Sequence, residues 1–156
     1  MTWLELCEDK SLRDLPFKIE LNRWGNIEMS PRRRQHGMIQ GRVSARLSKL
    51  LPKGEIIVEC AVDTSDGVRV PDVAWASTER WDSMSDAASC SVAPEICIEV
   101  VSASNSGGEM NHKRNLYFKA GAEEVWFCDE QGNLQFFSAK GVLKRSRLCP
   151  KFPSHV

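Results

Sequence analysis

The chain has 156 residues, 42% of them apolar and 27% charged, with 21 Lys+Arg against 21 Asp+Glu. This length supports one hydrophobic core, and the apolar share argues against intrinsic disorder. The longest apolar runs are far too short to span a bilayer, so no membrane role is expected.

Residues 1–14 are charged throughout and lack an apolar signal region, which predicts a cytoplasmic chain. The expected organisation is one domain over 1–156, with 1–14 and 150–156 peripheral. Next comes a hairpin pairing Phe17–Leu21 with Asn26–Ser30 around Arg23-Trp24-Gly25-Asn26, whose Gly and Asn accept positive φ. Ser30-Pro31 then predicts a helix start, with Ser30 as N-cap. Ile39, Val43, Leu47, Leu50 and Leu51 form its apolar stripe, and Pro52 with Gly54 ends it. Two extended runs, 55–63 and 68–76, follow around Asp66-Gly67, a strong hairpin signal. Residues 77–93 have no clear period and read as an exposed loop.

Ile96–Val101 is almost continuously apolar, as a central strand covered on both faces would be. Ser106 and Glu109 have capping-box spacing and open a helix through Lys113, Leu116, Tyr117 and Ala120, ended by Gly121. A last hairpin joins Val125–Asp129 to Leu134–Ser138, with 142–148 as an extension. The whole order is β-β-α-β-β-β-α-β-β. Cys7, Cys60, Cys90, Cys97, Cys128 and Cys149 are scattered, with neither a CxxC pair nor zinc-type spacing. They are expected to be reduced and structural.

Zero net charge conceals an asymmetry. Residues 30–53 carry +7, whereas residues 54–99 carry −8. The tail is basic again, with Lys140, Lys144, Arg145, Arg147 and Lys151. One zone suits a polyanion and the other a divalent cation, unless the two neutralise each other across an interface.

Glu99 is the most informative residue. An unpaired carboxylate buried within ICIEVV costs several kcal/mol. A cation, a protonated state or a cleft must therefore compensate. Asp72 follows Pro71, which cannot donate to a sheet ladder and so marks an edge, kink or bulge. Adjacent strands can bring the two acids together, and a shared metal would relieve their repulsion. The plain structural readings are a turn for Asp72, a surface position for His36 and an i, i+4 pair with Glu109 for Lys113.

The succession EL…IEMSPRRRQHG, VRVPDVAW, PEICIEVVSASN and KRNLYFKAGAEEVWFCDEQG resembles the Uma family of restriction-endonuclease-like proteins, within the PD-(D/E)XK nuclease superfamily. The resemblance runs from about Ile19 to Phe137. It implies an α/β fold, a mixed sheet flanked by helices with a restriction-endonuclease-like core, and a metal site in the cleft. Asp72 matches the aspartate of the PD element and Glu99 the second acid. Val101 stands where the superfamily's basic pattern has lysine, and the resemblance points to Lys113 on the following helix as its replacement. Glu20 matches the acid before the first hairpin turn, with Glu28 as a competitor, and His36 matches the histidine of the SP…H block.

The activity so implied is metal-dependent hydrolysis of phosphodiesters, with DNA as the expected substrate. Asp72, Glu99 and the Val101 carbonyl would hold Mg2+ or Mn2+, helped by Glu20 or His36. Lys113 would orient water or stabilise developing charge. Arg32, Arg33, Arg34, Arg42 and Arg46 would grip the sugar-phosphate backbone, and a homodimer would let so small a chain cut both strands. The alternatives are an inactive nuclease fold that binds nucleic acid or regulates, and a cytosolic interaction module whose acids are structural.

Overall fold

The chain, described over residues 1–156 by a computed structural model, runs through fourteen regular elements and one 3₁₀ turn. In order they are α1 (Trp3–Glu8), β1 (Phe17–Leu21), β2 (Ile27–Pro31), α2 (Arg34–Leu50), β3 (Gly54–Val58), β4 (Val62–Thr64) and β5 (Gly67–Arg69). The second half gives β6 (Val73–Ser77), α3 (Thr78–Ser83), β7 (Ile96–Val101), α4 (Gly107–Lys119), β8 (Glu124–Asp129), β9 (Leu134–Ser138) and β10 (Gly141–Leu143). The result is a mixed α/β architecture flanked by helices, as expected, with its strands divided between two sheets where one was expected.

The first hairpin forms in the anticipated place, with Leu21 opposite Ile27 and Gly25 in the turn at φ 75. Helix α2 starts later than Ser30-Pro31 suggests. Ser30 and Pro31 are still extended, paired with Lys18 and Phe17, and the N-cap is Arg33, which makes no side-chain cap bond. The hairpin ladder satisfies this stretch of backbone, so Ser30 is not released to cap.

Both long extended runs break in two. Glu59, at φ 56, bends the chain between β3 and β4, and Pro71 interrupts it between β5 and β6. A left-handed residue and a residue without an N–H each end a ladder. Strands β4 and β5 close around Gly67 at φ 78 and join a four-stranded sheet of order β2-β1-β5-β4. Strands β3 and β6 enter a six-stranded sheet of order β10-β9-β8-β7-β6-β3. One bent hairpin therefore serves both sheets. Asp72 sits at its corner, where its carbonyl accepts from the Glu59 N–H at 3.1 Å.

Strand β7 is central, antiparallel to β6 and parallel to β8. The parallel pair requires a crossover, which α4 supplies. Alternation along β7 sends Ile96, Ile98 and Val100 to one face, where they meet Ile39, Val43 and Leu47 of α2. Those three α2 residues are fully buried, and each such burial contributes about 1.5–3 kcal/mol. Cys97 and Val101 face the other way and pack with Met110 and Tyr117 of α4. Glu99 shares that second face by the same alternation.

Two further local differences have clear causes. Within the stretch expected to be a loop, Ser77 caps the short helix α3 by accepting from the Arg80 N–H. Strand β10 stops at Leu143 instead of running to 148, because Ser146 and the amides of Arg147 and Leu148 turn inward to Glu124. All six cysteines are free thiols, four of them buried. No helix is long and apolar enough to cross a membrane.

Candidate active site

Four elements converge at the junction of the two sheets. Strand β1 turns Ile19 and Leu21 to a small apolar cluster. The period of two then sends Lys18 and Glu20 to its other face. That charged face is buried as well: Lys18 and Glu20 are 8% and 5% exposed. The corner before β6 brings Asp72, β7 brings Glu99, and α4 brings Lys113 and Tyr117 four residues apart on one side of the helix. Asp72 and Glu99 are 1% and 2% exposed.

Each acid of the central pair has one oxygen tied back and one aimed at a common point. Asp72 Oδ2 accepts from the Val100 N–H at 2.7 Å, and Glu99 Oε1 accepts from the Tyr117 hydroxyl at 2.5 Å. Asp72 Oδ1 and Glu99 Oε2 each lie 3.0 Å from Lys18 Nζ. Lys113 Nζ donates to Glu20 Oε1 at 3.0 Å, and lies 2.9 Å from Oε2 of the same carboxylate and 3.5 Å from Glu99 Oε1. Glu20 also accepts from the Val70 N–H at 2.8 Å. His36 Nε2 reaches Asp72 Oδ1 at 3.1 Å, and the Gln40 side chain donates to the Asp72 carbonyl at 2.7 Å. Three carboxylates thus face two ammonium groups and one imidazole.

Burial and pairing act differently on these groups. For Glu99, burial outweighs Lys113 and Lys18 and pushes its pKa up. Burial opposes the charge of Asp72 too, but Lys18 and the His36 bond overcome it and hold that carboxyl low. Glu20 is likewise lowered, against burial, by Lys113 and Lys18. Burial also disfavours the Lys18 ammonium, yet Glu99, Asp72 and Glu20 together raise its pKa. His36 is raised by its bond to Asp72.

A cavity of about 190 Å³ opens onto this cluster, lined among others by Lys18, Arg33, His36, Asp72, Glu99 and Lys113. No set of three or more His, Cys, Asp or Glu side chains stands ready to hold a metal. The donor chemistry nevertheless fits a hard divalent cation. Two carboxylate oxygens already share one point beside open space, and Mg2+ completes its shell with water. Val101, expected to lend its carbonyl, lines a neighbouring pocket and pairs with Asp129, whereas Val100 lines this cavity.

Sequence reasoning brings together Glu20, Asp72, Glu99, Lys113 and His36, and the fold does the same. Glu28 is drawn off to Arg69, with a side chain 46% exposed. Of the five arginines expected to contact nucleic acid, only Arg33 lines the cavity. Arg32 pairs with Glu59, while Arg34, Arg42 and Arg46 are exposed on α2. Lys18, Tyr117 and Gln40 are additions.

The Uma2 family, described as "Putative restriction endonuclease", matches residues 5–146. A crystal structure of "a putative nuclease belonging to DUF820" from Anabaena variabilis has a similar fold at TM-score 0.65 and 17% identity, covering 86% of this chain and 73% of that one. No curated protein matches. A family match over most of the length, on a fold shared with that structure, means that the chain belongs to the Uma2 family of restriction-endonuclease-like proteins.

Proposed function

We propose that the protein is a divalent-cation-dependent nuclease that hydrolyses phosphodiester bonds in DNA. The observation that carries this reading is the convergence of Asp72 Oδ1 and Glu99 Oε2 on one point, with Lys113 Nζ 3.5 Å from Glu99 Oε1. Asp72 and Glu99 would hold Mg2+ or Mn2+, with Glu20 nearby to add negative charge. When bound, such an ion neutralises charge on the scissile phosphate and acidifies water.

The remaining roles belong to the chain itself. Lys113, held by Glu20, presents an ammonium to the charge that develops on phosphate. Tyr117 and the Val100 N–H fix the orientation of the two central acids. His36, half-buried beside Asp72, can hold or release a proton near neutrality. Arg33 at the cavity, with Arg34, Arg42 and Arg46 along α2, supplies positive charge for the sugar-phosphate backbone. Two copies acting as a homodimer would allow cleavage of both strands.

Cleavage of plasmid and oligonucleotide substrates with Mg2+ or Mn2+ tests this, comparing wild type with Asp72→Ala and Glu99→Ala. Wild type alone should cut, and each variant should lose about a hundredfold or more. Equal cleavage by all three would mean contamination or another site. A second reading has one specific support: the Lys18 ammonium already fills the point between the two acids. Absence of cleavage together with steeply salt-dependent DNA binding would favour that nucleic-acid-binding role.

A further inference from the structure

Lys18 has no task in the reaction just described, yet it holds the central position. Its ammonium makes a 3.0 Å contact with each of the two oxygens left free by the backbone and Tyr117. The other oxygens of Asp72 and Glu99 are already committed to the Val100 N–H and the Tyr117 hydroxyl. Hence there is one shared point and room at it for one cation. Without a cation there, two carboxylates that are 1% and 2% exposed would face each other with only His36 and Lys113 at their flanks.

The Lys18 side chain also has somewhere to go. It lines the open cavity, and Glu20 Oε1 lies 3.9 Å from its Nζ, so a third carboxylate can receive it. Four flexible carbons let an ammonium move by this distance without moving the strand.

We propose that Lys18 is a built-in placeholder for the divalent cation, and that its ammonium and the ion are alternative occupants of the point shared by Asp72 and Glu99. Loading the site displaces Lys18 Nζ towards Glu20 and the cavity. The ammonium thereby keeps the carboxylates together in the ion-free protein and weakens apparent ion affinity by the fraction of time it holds the point. This inference rests on the cation-dependent reading above.

Binding of Mn2+ alone, followed by electron paramagnetic resonance, separates the two. Lys18→Met should bind Mn2+ about tenfold or more tightly than wild type, because the competitor is gone. Adding Asp72→Asn to Lys18→Met should abolish that gain. If wild type and Lys18→Met bind equally, the exchange is wrong and the cation site stands. If neither binds, the cation reading itself fails and takes this inference with it. Should Lys18→Met fold poorly, recovery of its thermal unfolding midpoint with Mn2+ would support the exchange, and no recovery would count against it. In the wild type, nitrogen-15 lysine spectra must show the Lys18 ammonium resonance move on saturation with Mg2+. A resonance unchanged at saturation overturns the proposal.

Discussion

Two neighbouring strands each bury a glutamate to the same depth, and the pair behaves in opposite ways. Glu124 on β8 and Glu99 on β7 are both 2% exposed. Glu124 accepts from Trp126 Nε1 at 2.8 Å, Ser146 Oγ at 2.6 Å and the amides of Arg147 and Leu148 at 2.7 and 3.0 Å. All four donors are neutral and fixed in place. Glu99 is met by two lysines and a tyrosine beside a cavity. A buried acid closed in by neutral donors staples the fold. One met by flexible cations at an opening keeps its charge available for exchange.

The sharpest way to break this comparison is to neutralise each acid. Glu99→Gln should reduce cleavage by about a hundred- to a thousandfold. Its stability should change by less than about 1 kcal/mol, since the amide keeps the side chain's shape, can still accept from the Tyr117 hydroxyl, and leaves Lys18 paired with Asp72 and Lys113 with Glu20. A collapse in unfolding temperature together with retained cleavage would erase the distinction.

Glu124→Ala should show the converse. It strands four donors, with an expected loss of about 3 kcal/mol. For a chain of this size that lowers the melting temperature by about 6–12 °C. Cleavage per folded molecule should be unchanged, and calorimetry beside the plasmid assay reads both quantities.

The smallest effect concerns His36. Its folded pKa is raised by the bond to Asp72, so its contribution is complete below the unfolded value of about 6.5. It is lost as pH rises through the higher folded value. Urea unfolding of wild type and His36→Gln should therefore differ by about 1 kcal/mol near pH 5.5 and converge as pH rises through the raised folded value. A gap that widens with rising pH would contradict the His36–Asp72 pairing.

Much of this was legible from the residues. The alternation around Asp66-Gly67, the apolar run of β7 and the stripe Ile39–Val43–Leu47 each correspond to an element, because local period and burial agree. Glu99 announced a site because a carboxylate amid isoleucine and valine demands compensation. Lys18 was hidden by the same logic that revealed Glu99. In FKIEL the charged residues look like the solvent face, and only the second sheet, folded over by the bend at Glu59 and Pro71, buries them.

Helix α4 carries Lys113 and Tyr117, and Met110 and Tyr117 seat it against the sheet. The distance between acid and base is consequently set by how a helix docks, and not by covalent spacing along one strand. Loosening α4 anywhere along its length would detune the chemistry before it unfolded the protein. Shaving the thioether of Met110 would then register first as lost turnover.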